Sequence, residues 1–266
     1  MQLDGRRVLL TGASGGIGNA IARALHGAGA TVVLNGRRAD ALDGLAASLG
    51  DRVETLVADL GNRDELSSLI ERAGDLDVLV ANAALPASGW LDSFTPEEID
   101  LALEVNLRAP IQLSRALVPR MVERGSGHLV FISSMSGKVP SMGSTVYSAT
   151  KFGMRGFAAG LRDELHGKGV GVTTVFPGFI SDAGMFAETG TKLPTGVTTR
   201  SPEQVARAVV RGIEEDRGEI DVAPLFMKTS AWLAGISPSA VTAMARRLGS
   251  EKVAAELGER QKHKRR

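Results

Sequence analysis

The sequence predicts an α/β protein built on a doubly wound parallel sheet of about seven strands, with helices on both faces. Three observations lead there. Short runs rich in Val, Leu and Ile alternate with longer helical patterns, the order expected when each strand is followed by a helix that crosses back over the sheet. Most of those runs are nearly continuous in apolar residues, as they are when both faces of a strand are buried. The first run is followed at once by a glycine-rich turn that opens a helix.

The first strand is read at residues 8–11, where Val8-Leu9-Leu10 precedes Thr11, and the glycine turn passes into a helix at 17–28. A strand at 31–35 and a helix at 39–49 follow, then a strand at 53–58 and a helix at 64–73. After a strand at 78–81, one long helical pattern runs from 96 to 123. The fifth strand, 128–133, leads to the pair Ser133-Ser134; a helix at 147–166, a strand at 170–176, a helix at 202–215 and a strand at 220–223 complete the alternation. Residues 179–200 form a long Gly-, Thr- and Pro-containing stretch of the kind that often serves as a lid. Beyond it, apolar helical patterns around 225–234 and 241–248, separated by Ser237-Pro238, are expected to pack on the same domain, with joining subunits or touching a membrane surface as the alternatives. Residues 1–223 then make one large domain and residues 224–266 its helical extension.

Composition narrows the function. The chain is long enough for one substantial core, and no linker or shift in composition marks a second domain. With 31 basic and 30 acidic residues the net charge is +1, which argues against a dedicated nucleic-acid binder. The absence of cysteine removes disulfides, thiolate catalysis and cysteine-ligated metal, and no metal site is expected. No apolar run approaches the ~18 residues needed to span a bilayer. No signal-peptide core precedes Gly12, so a cytoplasmic protein is expected. The tail Lys262-His263-Lys264-Arg265-Arg266 is read as a solvated terminus, with weak association to an anionic surface as its functional alternative.

The turn after the first strand reads Thr11-Gly12-Ala13-Ser14-Gly15-Gly16-Ile17-Gly18. Glycines permit a tight turn and close approach of backbone to a pyrophosphate, and the N-terminus of the following helix favours negative charge. In this strand-turn-helix context the loop predicts a Rossmann-type dinucleotide site. An NAD-specific site places an acid about 20 residues beyond the glycines to hold the ribose hydroxyls. Here the segment reads Asn35-Gly36-Arg37-Arg38: no carboxylate repels a 2′-phosphate and two guanidiniums can pair with it, so NADP(H) is favoured over NAD(H). In the NAD case Asp40 would meet the ribose. The loop also satisfies G-x-S-x-G through Gly12, Ser14 and Gly16, the form of a hydrolase nucleophile elbow. Such a hydrolase needs a histidine above the sheet, and His26, His128, His166 and His263 all stand elsewhere.

Tyr147 is the only tyrosine, and Lys151 follows it by one helical turn. Residues i and i+4 share a helix face, so the ammonium is expected to favour the ionised phenol and bring its pKa from about 10 toward working pH. A hydroxyl from Ser134 is placed to bind an oxygen on which charge develops.

Taken in order, these motifs resemble the short-chain dehydrogenase/reductase family over about residues 5–223. The loop residues Gly12, Ser14, Gly16, Ile17 and Gly18 are similar to its cofactor turn, and Asp59-Leu60 to the segment whose acid contacts adenine. Asn82-Ala83-Ala84 resembles the end of the family's fourth strand, and Asn106 its active-site asparagine. Pro177-Gly178, with Ile180 close behind, resembles the turn beside the nicotinamide. Ser134 stands thirteen residues before Tyr147, the family interval, which selects it over Ser133 and Ser136. One departure is Asp182, preceded by Ser181, where family members often carry a threonine that bonds the carboxamide.

The resemblance implies hydride transfer between a nicotinamide and a carbonyl or secondary alcohol. Tyr147 would exchange the proton, Lys151 would lower its pKa and hold the nicotinamide ribose, Ser134 would polarise the substrate oxygen, and Asn106 would hold a relay water. It also implies a homotetramer or homodimer through the helices at 96–123 and 147–166, whose outward faces are read to carry Ala158, Ala159 and Gly160. Leu85, Trp90, Met142, Phe179, Met185 and Phe186 flank the site and hint at an apolar substrate. The alternatives are an NADP(H)-binding regulator or scaffold without turnover and, more remotely, a serine hydrolase through Ser14.

Overall fold

Parallel strands need a crossover of a dozen or so residues, and the alternating sequence supplies one after each strand. In the computed structural model, which describes residues 1–181, 198–237, 239, 241–243 and 259–261, seven strands form a single parallel sheet in the order β3-β2-β1-β4-β5-β6-β7. The strands are β1 Arg7–Leu10, β2 Thr31–Gly36, β3 Val53–Val57, β4 Val78–Ala81, β5 Gly127–Ile132, β6 Val170–Pro177 and β7 Glu219–Val222. β1 lies between β2 and β4, so the order reverses there and the carboxyl ends of β1 and β4 open a crevice.

The continuous apolar runs serve two cores at once. Val8 and Leu10, Val32 and Leu34, Val78 and Val80, Val130 and Ile132 point to one side. Leu9, Val33, Leu79, Leu129 and Phe131 point to the other. Helices α1 Gly16–Gly27, α2 Ala39–Leu49 and α7 Pro202–Glu215 close the first core. Helices α3 Arg63–Ala73, α5 Ala109–Glu123 and α6 Thr145–Glu164 close the second. Side-chain caps set several starts: Asn62 accepts from the N–H groups of Asp64 and Glu65, and Thr95 with Glu98 forms a capping box ahead of Pro96.

The pattern read as one helix over 96–123 is three pieces. α4 spans Pro96–Leu103, a π-helical turn covers Glu104–Arg108, and α5 follows. The local reason is Pro110, which has no N–H to give the carbonyl of Asn106 four residues back; widening the turn relieves the ladder where that bond is missing. A second difference concerns the outward face of α6: Ala158 is buried with Met154 and Leu161, leaving Ala159 and Gly160 outside. Helix α8, Leu225–Ile236, lays Met227 and Ala231 on Met135, Phe176 and Ala223. Among the described residues no helix is long and apolar enough to cross a membrane. Asp182, Met185, Phe186 and residues 262–266 lie outside the described residues, as does most of the pattern at 241–248.

Candidate active site

The glycine loop is held from beneath. Gly12 adopts φ +67°, and a side chain there would press on the Ala83 backbone, while one on Gly18 would overlap the Gly12 carbonyl. The Thr11 hydroxyl accepts the N–H groups of Asn82 and Ala83 at 3.0 and 3.1 Å. In return the Asn82 side-chain amide donates to the carbonyls of Thr11 and Gly12 at 3.0 and 3.1 Å. Asn82, expected at the cofactor, thus spends both its N–H groups bracing the loop against the end of β4. Helix α1 begins without a side-chain cap and without an acid in its first turn, the arrangement that leaves a helix N-terminus to an anion.

The end of β2 meets this loop. Arg38 donates to the Ser14 carbonyl at 3.2 Å, and a side chain on Gly36 would touch the Ser14 hydroxyl. Arg37 is exposed, its guanidinium 3.7 Å from an Asp59 oxygen, and the other Asp59 oxygen accepts the Gly61 N–H at 2.9 Å. The Leu60 side chain is buried in the core. A cleft of about 680 Å³ runs beside the loop between α1 and α7, lined by Ser14, Gly15, Gly16, Asn19, Arg23 and Arg207 among others. It takes in Ser14 and Gly16 but none of the residues around Tyr147.

At the carboxyl end of β5 the remaining groups converge. Ser134 accepts the Ser136 N–H at 3.1 Å, capping the short turn Met135–Gly137, and its hydroxyl acts on the Tyr147 phenol in the direction of the ionised form. Lys151, 2% exposed, donates from Nζ to the Ile132 carbonyl at 2.9 Å and lies 5.5 Å from the centroid of the Tyr147 ring. Ser133 donates to the Lys151 carbonyl at 3.1 Å, so β5 and α6 are tied on both sides of the lysine. Asn106, 1% exposed, accepts the Leu85 N–H at 2.6 Å and donates to the Leu85 carbonyl at 3.0 Å.

The expected depression of the tyrosine pKa meets an opposing effect in this geometry. Burial pushes Tyr147 up to about 12, and the Ser134 hydroxyl only partly opposes it. The ring packs with Ala87, Ala102 and Val146, while the lysine ammonium is engaged by a carbonyl and is itself pushed down to about 8 by burial. Both groups are biased toward their neutral forms.

The remaining predicted residues stand at the end of β6. Pro177 is its last residue, Gly178 donates to the Val222 carbonyl at 3.0 Å, and Ile180 is buried and bridged to Arg200. Trp90 is exposed at 45%, and its neighbour Gly89 bonds the Gly143 carbonyl at 2.7 Å, close before Tyr147. Leu85 lies against Asn106, whereas Met142 and Phe179 are half-buried. Sequence reasoning passed over Thr11, Pro110 and the backbone of Ile132 and Leu85, since a supporting carbonyl leaves no mark on residue type. Of the three described histidines, His128 bonds Thr173 at 2.8 Å and His26 the Asp51 carbonyl at 2.9 Å, so neither of these two serves Ser14, and His166 is exposed in the turn after α6.

Comparison with known proteins agrees with this arrangement. The family described as short chain dehydrogenase matches residues 6–194. Nodulation protein G of Rhizobium meliloti (strain 1021) is 42% identical over 186 residues, which cover 68% of this chain and 76% of that protein. Ketoacyl reductase HetN of Nostoc sp. (strain PCC 7120 / SAG 25.82 / UTEX 2576) is 37% identical over 227 residues, covering 83% of this chain and 79% of the other. Among solved structures, a short-chain dehydrogenase from Sphingobium yanoikuyae in complex with NADPH superposes with a TM-score of 0.78 at 30% identity, covering 90% of this chain and 95% of that one.

Proposed function

Because the chain belongs to the short-chain dehydrogenase family, and so is an oxidoreductase acting on CH–OH groups with NAD(P), we propose that it uses NADP(H) on an apolar ketone or secondary alcohol with Tyr147 as the proton-transferring residue. The observation that carries the reading is the convergence of Ser134, Tyr147 and the buried Lys151 at the carboxyl end of β5, with Lys151 Nζ 5.5 Å from the centre of the Tyr147 ring. The glycine loop fits a dinucleotide: only glycine at positions 12 and 18 lets the turn close this tightly on itself and on Ala83, and no acid stands in the first turn of α1 to repel a pyrophosphate. Gly12, Ser14, Gly16, Ile17 and Gly18 hold the pyrophosphate, Arg37 and Arg38 the 2′-phosphate, Asp59 the adenine, and Lys151 the nicotinamide ribose. Pro177, Gly178 and Ile180 border the nicotinamide, which supplies or accepts the hydride when bound.

In reduction Tyr147, protonated at neutral pH, donates its phenolic proton to the substrate oxygen while Ser134 hydrogen-bonds that oxygen. Lys151 stabilises the phenolate that remains. Asn106, locked to the backbone of Leu85, fixes the wall behind these groups and keeps its carbonyl free of any bond from Pro110. Tyr147→Phe removes the proton and leaves the nucleotide residues in place. Turnover of a reducible carbonyl, followed by NADPH absorbance, should fall at least a hundredfold, with NADPH binding by calorimetry retained. Activity within about tenfold of wild type would sink the assignment.

A further inference from the structure

Helix α8 has two faces of opposite fate. Met227, Ala231 and Ala234 turn inward, the first two against Met135, Phe176 and Ala223. The opposite side carries Leu225, Phe226, Trp232, Leu233 and Ile236, with Leu225 74%, Trp232 69% and Ile236 67% exposed. Their spacing i, i+1, i+7, i+8 and i+11 puts all five on one side of the helix, with Lys228 beside them. Single exposed apolar residues are ordinary; a contiguous group with a tryptophan and a phenylalanine marks an interaction surface.

Charge follows the same division of the chain. Residues 225–266 hold nine Lys or Arg against three Glu, a net charge of +6, whereas residues 1–224 hold 22 basic and 27 acidic residues, net −5. No acidic residue occurs between Asp221 and Glu251. The exposed apolar face therefore sits at the start of the only strongly basic part of an otherwise acidic sequence.

We propose that α8 docks on an anionic phospholipid surface, its apolar face entering the boundary between headgroups and acyl chains. An apolar helix face and a basic segment are the two signals that together give stable yet reversible attachment, and indole and phenyl side chains favour that depth. Lipid phosphates supply the charge that the +6 segment lacks. A second copy does not, because pairing through this face would bring two such segments together. An acidic protein answers the charge without requiring so much exposed apolar surface.

Sedimentation of the full-length protein with phosphatidylcholine vesicles, with and without about 30% phosphatidylglycerol, tests the proposal. Partition should be at least tenfold stronger into the anionic vesicles and should be released by raising NaCl from about 0.05 M to 0.5 M. The double substitution Trp232→Ser with Ile236→Ser should reduce that partition at least tenfold and leave the thermal unfolding midpoint unchanged. In the wild type, tryptophan emission should shift to the blue as Trp232 leaves water, a reading that does not depend on any variant. Absence of vesicle binding, equal binding by the double variant, or an unshifted spectrum in excess anionic vesicles would overturn the proposal. So would a fall in mass on light scattering caused by the same substitutions, which would make the face a contact between copies.

Discussion

Tyr147 and Lys151 are displaced in opposite directions by one cause, since burial disfavours phenolate and ammonium alike. A phenol held at about 12 is a ready proton donor and a poor acceptor at neutral pH. Carbonyl reduction should therefore vary little in kcat/KM between about pH 6 and 8, while alcohol oxidation should rise steadily with pH as phenolate becomes available. Initial rates in both directions across that range decide the matter; oxidation that is flat with pH would show that the site ionises its tyrosine by another route. At the other end of the site, replacing Arg37 with Asp removes an attractive charge from the 2′-phosphate and adds a repulsive one. The NADPH-to-NADH affinity ratio should move toward NADH by at least tenfold, from contacts worth roughly 1.5–3 kcal/mol. An unchanged ratio by calorimetry would leave Arg37 as the partner of Asp59 and nothing more. The spacing of Tyr147 and Lys151 was legible in the sequence because helix geometry alone makes i and i+4 neighbours. Their proton affinities were not, because they depend on the Ile132 carbonyl and on the packing of Ala87 and Val146, which come from distant segments.

Elements were read more faithfully than their ends and interruptions. The five inner strands lie where continuous apolar runs place them, because each run feeds two cores, whereas the edge strands β3 and β7 keep Glu54, Val57 and Glu219 exposed. The π-helical turn at Glu104–Arg108 escaped a reading by periodicity, for its cause is a single missing N–H at Pro110 and its effect is one extra residue in a turn. Helix α6 shows the same limit: its composition suggested a close-packing face, yet only the fold separates buried Ala158 from the exposed set Phe152, Gly156, Ala159 and Gly160. These four share one side of the helix, and side chains added at Gly156 or Gly160 would meet nothing within 4 Å in the chain itself. If the enzyme is a homodimer or homotetramer through this face, Gly160→Arg should lower the mass seen by light scattering at micromolar concentration without lowering the unfolding midpoint. A monomeric wild type would refute the interface.

At the scale of the molecule, acid stability gathers at one buried histidine. His128 in β5 bonds Thr173 in β6, whose single hydroxyl proton lies within reach of the carbonyls of Arg217 at 2.7 Å and Gly212 at 3.1 Å, so one cluster joins two strands to α7 and the turn after it. Burial lowers the His128 pKa from 6.5 to about 4, with Asp216 partly opposing. Below 6.5 the unfolded chain takes up a proton that the folded chain refuses, so stability is present above that value and is lost as pH falls toward 4. Between about pH 7 and pH 5 the loss should be about 2 kcal/mol, read from urea midpoints. His128→Gln, which keeps a hydrogen-bonding side chain, should flatten that part of the curve; an unaltered pH dependence would place the acid sensitivity elsewhere.

The single tyrosine also makes the protein its own indicator. One phenol and two indoles are the strongly absorbing side chains of the whole chain. They fall at three separate places: Tyr147 near Lys151, Trp90 beside the Gly89–Gly143 contact, and Trp232 on the outer face of α8. Ultraviolet difference absorbance of phenolate therefore titrates one known oxygen with no background from other tyrosines, and Trp90→Phe or Trp232→Phe leaves a lone indole to report on the other location. Events at the proton donor, at the neighbouring loop and on the exposed helix can each be followed in solution by colour and emission, with no label attached.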